Sequence, residues 1–377
     1  MSEGDTSRPH IVQVVLALGR GGLESMATQL AIALHRRGYH SSVIALDEGG
    51  EQEDALRDAG VPYHIFGGSF RSPAYHRRMI GLLRAVQPTV LHTHNLAPLL
   101  RIVLAGKVAR VGRYVHTEHS TNYMDERSDY HRMLGWLSWF TDAFVLVGQQ
   151  LTPFYTDRVR VPRKKLSVIP NGIDLDRFQP MRDRPRARQA LGIGDGFIVG
   201  SAGRLAPEKN YGFLIRGIAQ ARLIDPRVRL ALVGDGAERA SLEQLAQELG
   251  VADAVSFLGW HRDVAHLLPA FDLFAISSLG EGLPLAVLEA MACGIPVIST
   301  PVGEMPSVLA GGRAGRLFDH GNDQDLGRLI AELATSNVAE QMGHAARALV
   351  EERYSSDRMV ERYVALYLPR QTTALAS

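Results

Sequence analysis

The sequence has one cysteine, Cys293, in 377 residues. That excludes a disulfide framework and any cysteine-rich zinc module, and it fits a reducing compartment. Lysine is nearly as scarce, 4 residues against 37 arginines. A base-composition bias explains this most simply, and it draws attention to each lysine that is kept. An excess of one charge is also missing. The formal net charge is +1, so no basic surplus marks nucleic acid as a partner. No apolar run is long enough to span a bilayer; the longest, Met133 to Gly148, contains Asp142. The opening MSEGDTSRPH has no apolar core and does not read as a secretory signal. With 46% hydrophobic and 21% charged residues the chain is not a disordered one. A cytoplasmic globular protein of two or more domains is expected.

What is present alternates. Continuous apolar runs at 11–18, 41–46, 62–66, 89–93, 114–118 and 144–147 are separated by amphipathic helical stretches, the first of them Leu23–Arg36. The same happens at 197–203, 228–234, 254–259, 272–277 and 295–300. Apolar strands spaced by helices predict α/β architecture, with parallel sheets covered on both faces, and two such units predict two doubly wound domains. The halves also differ in charge: residues 1–180 carry 21 basic and 17 acidic side chains, residues 181–377 carry 20 and 23, and ten of the 14 histidines lie in the first half. The segment Asn171–Gly196, rich in glycine, proline and charge, reads as the boundary. The stretch Ser355–Leu368 reads as a closing amphipathic helix.

In open α/β sheets ligands bind beyond the carboxyl ends of the strands. After the first strand, Gly19-Arg20-Gly21-Gly22 opens a helix and suits an anion. A dinucleotide reading would want a glycine where Glu24 stands, with Asp47 as the ribose acid; a bare tight turn is the plainer reading. His119 follows the fifth run and is placed to meet a substrate hydroxyl or to share in proton traffic. His92, His94 and His116 raise a metal site, but no carboxylate or cysteine completes a cluster, and structural hydrogen bonding is the expectation for them. Arg204 and Lys209, after the run at 197–203, offer a fork and a point charge suited to a diphosphate; a solvated helix start with a Glu208–Lys209 pair is the alternative. Glu281 lies in a glycine-flanked loop. Gly282, Leu283 and Pro284 then open a helix that carries Glu289 about one and a half turns on. Two carboxylates around a helix start suit a nucleotide sugar: N–H groups for phosphate, one carboxylate for ribose, one for sugar hydroxyls.

The spacing from Glu281 to Glu289 matches the E-x7-E signature of retaining glycosyltransferases. With GRLAPEKN, PNGIDLDRF (170–178), LVGDGAERASLEQLA (232–246), VSFLGW (255–260) and the Gly-Gly loop, the chain resembles glycosyltransferase family four over nearly its whole length. The resemblance implies the GT-B fold, two Rossmann-like domains facing across a cleft. Residues 1–178 would form the acceptor-binding domain and residues 179–355 the nucleotide-sugar domain, with a C-terminal helix, 356–377, crossing back to the first. It implies no cofactor and no metal, since cationic side chains and helix termini neutralise the diphosphate. Arg204 and Lys209 would hold the diphosphate, Glu289 the ribose and Glu281 the donor sugar. Gly282, Leu283, Pro284 and Leu285 would lie under phosphates and sugar. Gly21 and Gly22 would admit the diphosphate, His119 would contact the sugar beside its anomeric carbon, and Trp260 to Arg262 would read the base. Family members often carry Ser-Glu where this chain has Gly148-Gln149, a departure on the acceptor side.

The implied reaction moves a sugar to an acceptor hydroxyl with retention. Mannose from GDP-mannose leads the donor expectations, ahead of a UDP-hexose. Two basic segments, Arg71, Arg77, Arg78 and Arg84 with Met79, Leu82 and Leu83, and Arg158, Arg160, Arg163, Lys164 and Lys165, suggest docking on an anionic membrane face; an ordinary solvated face is the alternative. Docking would make the acceptor a lipid-linked saccharide of exopolysaccharide or lipopolysaccharide assembly, with the protein at the inner face of the cell membrane. The competing classes are a nucleotide-sugar epimerase, a NAD-dependent oxidoreductase and a non-catalytic sensor.

Overall fold

Runs of β-branched and aliphatic residues with no polar alternation can only be satisfied by strands covered on both sides. The computed structural model describes residues 9–119, 128–181, 183–261, 263–309 and 311–368, and these form two parallel sheets. The chain divides into two units: one runs to Gly172 and takes in the segment from Ser356, the other is Ile173–Ser355.

In the first unit the strands are β1 (His10–Ala17), β2 (His40–Glu48), β3 (Tyr63–Ile65), β4 (Val90–His94), β5 (Arg113–Glu118), β6 (Ala143–Leu146) and β7 (Leu166–Val168), in the order β3-β2-β1-β4-β5-β6-β7. Residues of β1 feed two layers. Val12 and Val14 pack with Met79, Leu83, Leu99 and Ile102, while Val15 packs with Ala27, Ala31 and Leu56 on the other face. The helix Ser356–Tyr367 belongs to this unit and buries Met359, Val360, Tyr363 and Tyr367.

In the second unit the strands are β8 (Phe197–Ala202), β9 (Val228–Val233), β10 (Val255–Gly259), β11 (Leu273–Ile276), β12 (Val297–Ser299) and β13 (Gly315–Leu317), in the order β10-β9-β8-β11-β12-β13. Ile198, Phe274, Val287, Leu288 and Met291 fill one face; Val199, Leu214, Ile218, Leu230 and Ile298 fill the other.

Strand order reverses direction between β1 and β4 in the first sheet and between β8 and β11 in the second. These are the switch points at which loops diverge and leave a crevice.

Two edge strands, β7 and β13, were not expected from the sequence. Each is short and has a polar residue at its centre, Ser167 in one and Arg316 in the other, so no continuous apolar run marks it. The helix that carries Arg77, Arg78 and Arg84 turns most of its apolar side chains to the core. In Pro73–Val86 the apolar side chains Tyr75, Met79 and Leu83 are buried in the core. Arg78 donates to the Phe66 carbonyl at 2.9 Å and lies over the Phe66 ring. The apolar stripe of this helix is spent on the fold.

Candidate functional site

At the second unit's switch point two of the predicted residues, Lys209 and Glu281, meet. The chain leaves β8 through Gly203 and Arg204, makes a short turn at Pro207–Lys209 and enters the helix Tyr211–Ile224. From the neighbouring β11 it leaves through Ser277 and Ser278 to Glu281, and Pro284 caps the helix Leu285–Ala292. The two loops are stitched together. Leu279 N–H donates to the Glu208 carbonyl at 2.8 Å, and the Ser277 hydroxyl to the Lys209 carbonyl at 2.9 Å. Lys209 Nζ then reaches Glu281 Oε1 at 2.5 Å, and the Ser278 hydroxyl donates to the same oxygen at 2.8 Å. The Glu208–Lys209 surface pair, the alternative reading, does not form; Glu208 instead accepts from Arg204 at 2.6 Å, on the exposed side of the loop.

The backbone that places Glu281 depends on a glycine outside the sequence motif. Gly303 has φ +54°, and a Cβ there would lie 2.0 Å from the Gly282 carbonyl oxygen. Glu304 N–H donates to that same carbonyl at 2.9 Å. Gly282, Leu283 and Pro284 are buried under this turn, and Leu285 is half-buried.

Glu289 lies in the middle of its helix, half-buried, and its carboxyl makes no hydrogen bond or ion pair among the described residues. Burial pushes its carboxyl up to about 7, against a small opposing pull from Arg177. Arg177 pairs with Asp263 at 2.9 Å. Sequence reasoning missed this pair. Arg177 stands inside the PNGIDLDRF run, which was the available signal, while Asp263 had none. Trp260, after β10, is 40% exposed, and His261 bonds the Leu258 carbonyl at 3.0 Å. Arg262 lies outside the described residues.

The first unit's switch point carries the remaining candidates. Gly21 caps the helix Gly22–Arg36 through its backbone alone. A Cβ at Gly21 would meet the Glu24 carboxylate at 2.0 Å, and burial raises the Glu24 carboxyl. Asp47, the acid a dinucleotide would need, is ion-paired with Arg101. His119 follows β5. Its N–H donates to Asn95 Oδ1 at 3.2 Å and its ring meets His94 at 3.2 Å. Burial drives the His119 ring down to about 3, so it stays neutral and is a hydrogen-bonding group rather than a proton carrier near neutral pH. His92 bonds Tyr367 and Thr117, each at 2.7 Å. His116 bonds Thr93 at 2.8 Å and the buried Glu118 at 2.9 Å. The polar residues at 120–122 lie outside the described residues. Gln149 opens a short exposed turn after β6.

A model of glycosyltransferase family 4 matches residues 20–177, and one of glycosyl transferases group 1 matches residues 183–349. A D-inositol 3-phosphate glycosyltransferase of Stackebrandtia nassauensis is 34% identical over 225 residues, 55% of this chain and 51% of that enzyme, so the match spans about half its length. The lipopolysaccharide core biosynthesis glycosyltransferase LpsD of Rhizobium meliloti is 28% identical over 92% of this chain and 95% of its own. Among solved structures, Anabaena HepE in complex with UDP and glucose superposes with a TM-score of 0.84 at 23% identity, covering 95% of this chain and 98% of HepE. The fold is therefore GT-B.

Proposed function

The chain belongs to glycosyltransferase family four, and we propose that it moves a hexose from a nucleoside diphosphate to a hydroxyl of a saccharide acceptor in polysaccharide or lipopolysaccharide assembly. The observation that carries this reading is the meeting of Lys209 with Glu281 at the β8/β11 switch point; on the helix that follows, the Glu289 carboxyl makes no hydrogen bond or ion pair among the described residues. A carboxyl half withdrawn from water and without a partner is costly to ionise unless a ligand supplies one. Ribose hydroxyls are suitable donors for it.

Each residue then has a task. Lys209 and Arg204 neutralise charge that grows on the departing diphosphate; preorganised charge of this kind is the largest contribution a protein makes to such a step. Glu281 accepts from donor-sugar hydroxyls and holds Lys209 in place. The backbone from Gly282 to Leu285 brings N–H groups toward the phosphates. Gly21 and Gly22 keep the diphosphate role, and His119 the sugar role, that the family resemblance implies for them. Trp260, with Arg262, serves the base. The acceptor hydroxyl bonds to the anomeric carbon as the diphosphate leaves, and the leaving phosphate takes the hydroxyl proton. Attack on the face the diphosphate vacates retains the anomeric configuration. With Arg204 and Lys209 supplying positive charge, the reaction as proposed uses no metal.

The donor is held at the level of a nucleoside diphosphate hexose. GDP-mannose is the first donor expectation and a UDP-hexose the second; HepE, which shares the fold, binds UDP and glucose. The proposed acceptor is lipid-linked. A surface in the first unit supports contact with an anionic lipid face: Trp136 and Trp139 are 56% and 65% exposed. Lys165 lies 5.9 Å from the Trp139 ring, and Arg163 and Lys164 adjoin Lys165 in sequence. Exposed tryptophan flanked by cations is the composition that settles at a headgroup layer. Among the described residues no helix is long and apolar enough to cross a membrane.

The test is thermal stabilisation by GDP, UDP, ADP, dTDP and NAD, followed by transfer assays with the matching sugar. A ligand at about 100 times its dissociation constant adds roughly 2.7 kcal/mol. Stabilisation by one nucleoside diphosphate, abolished in Glu289→Ala, is expected. Stabilisation by NAD alone would return the site to Gly19–Gly22.

A further inference from the structure

The core of the first unit holds one continuous hydrogen-bonded chain that ends at His119. From the C-terminal helix inward, the Tyr363 hydroxyl meets Thr117 Oγ1 at 3.0 Å. Thr117 Oγ1 meets His92 Nε2 at 2.7 Å, and His92 Nδ1 meets the Tyr367 hydroxyl at 2.7 Å. Gln13 bridges the next gap, its Nε2 3.4 Å from Tyr367 and its Oε1 2.9 Å from His94 Nε2. His94 Nδ1 then meets His119 Nε2 at 3.2 Å. Every member except His119 is buried, where an unmade hydrogen bond is expensive and the links polarise one another.

Hydroxyls rotate and imidazoles change tautomer, so most links accept either direction of donation. Gln13 does not: its amide oxygen only accepts and its amide nitrogen only donates. His94 Nε2, facing the oxygen, must carry a proton. Burial keeps the His94 ring neutral, so its Nδ1 is bare and accepts from His119 Nε2–H. The neutral His119 is then bare at Nδ1. In the other direction the Gln13 nitrogen donates to Tyr367, Tyr367 to His92 Nδ1, His92 Nε2–H to Thr117, and Thr117 to Tyr363. All six links are satisfied in one polarity.

We propose that Gln13 and Tyr367 are positioning residues that hold His119 as its Nε2–H tautomer and so present a bare Nδ1 acceptor to a hydroxyl-bearing ligand. His119 Nδ1 makes no hydrogen bond among the described residues, and the ring is half-buried at the end of β5. A bare imidazole nitrogen there selects a hydrogen-bond donor such as a sugar hydroxyl and is mismatched to a carbonyl or a phosphate oxygen. That the hydroxyl belongs to the donor sugar rests on the function proposed above; the tautomer does not.

The tautomer is read from the two-bond proton–nitrogen spectrum of histidine-labelled protein, with His119 assigned by the signal lost in His119→Ala. A single Nε2–H pattern is expected in the unaltered protein. Tyr367→Phe and Gln13→Leu are expected to give mixed tautomers, whereas Tyr363→Phe, at the far end of the chain, leaves His119 unchanged. An Nδ1–H pattern in the unaltered protein overturns the proposal, and so does an undisturbed Nε2–H pattern in both Tyr367→Phe and Gln13→Leu. Transfer assays run beside it. Tyr367→Phe is expected to lower kcat/KM for the donor by about tenfold, the scale of one mismatched hydrogen bond. A changed tautomer with unchanged kcat/KM supports the network and overturns the sugar-binding role of His119.

Discussion

Lys209 and Glu281 are 72 residues apart in the chain, leave adjacent parallel strands, and meet at 2.5 Å with little of either side chain exposed. In the proposed reaction the pair holds the carboxylate for sugar hydroxyls and the ammonium for the diphosphate. Substituting Lys209 by Ala is expected to lower kcat by about 10²–10³-fold, the cost of losing one preorganised charge. The same change strands a partly buried carboxylate, so the melting temperature should fall. In the double variant with Glu281→Gln the loss should be smaller than additive, because residues in direct contact couple. Single-turnover rates and melting curves of the two single variants and the double variant test both statements; additive effects would dissolve the pair as a functional unit.

Glu289 sets a pH dependence. Its folded-state value of about 7 lies above the ordinary carboxyl value, so the charged form is disfavoured in the empty site. Hydroxyl donors favour the carboxylate, and ligand binding therefore expels a proton. Nucleoside diphosphate affinity should weaken by up to about tenfold from pH 8 to pH 6, and Glu289→Gln should remove that part of the slope. The sign for stability is opposite. A raised folded value stabilises fully below the unfolded value and is lost as pH rises through 7. Glu289→Gln should therefore gain in melting temperature relative to the unaltered protein above pH 7. Titration calorimetry and melting curves of both proteins at pH 6, 7 and 8 check the two signs.

Gly303→Ala tests the support beneath Glu281. The new Cβ has no room against the Gly282 carbonyl, and φ +54° is unfavourable for alanine. A loss of about 1–3 kcal/mol is expected from strain alone, together with a fall in transfer rate as Glu281 shifts. Chemical denaturation gives the first and initial rates the second. A variant with normal stability would mean that the turn relaxes freely.

Trp136→Ser with Trp139→Ser should abolish sedimentation with vesicles rich in phosphatidylglycerol while leaving nucleoside diphosphate binding intact. Arg77→Ser with Arg84→Ser, on the helix whose apolar stripe is buried, should weaken vesicle binding far less. Equal sedimentation of all variants would remove the tryptophans from the docking surface.

Much of this was legible in the order of residues. Alternating apolar runs and helical stretches announced two parallel sheets, because a strand covered on both faces has no polar side to show. The Glu281-to-Glu289 spacing and the cations after β8 were visible as motifs because each motif is local: a loop, a helix start and a few side chains. The edge strands β7 and β13 were not legible, since pairing with a neighbour, rather than pattern, makes three residues a strand.

The amino-acid order by itself determined the doubly wound α/β units, the family resemblance and the candidate residues, since these depend on periodicity and spacing along one segment. Only the tertiary structure decided the partners. Lys209 pairs with Glu281 rather than its neighbour Glu208 because the β8 and β11 loops emerge side by side. His92 takes Tyr367 from 275 positions away because the last helix folds onto the first sheet. The Pro73–Val86 helix turns its apolar stripe inward, while Trp136 and Trp139 remain outside. Those outcomes depend on which surfaces meet in three dimensions, a property that no local window of sequence contains.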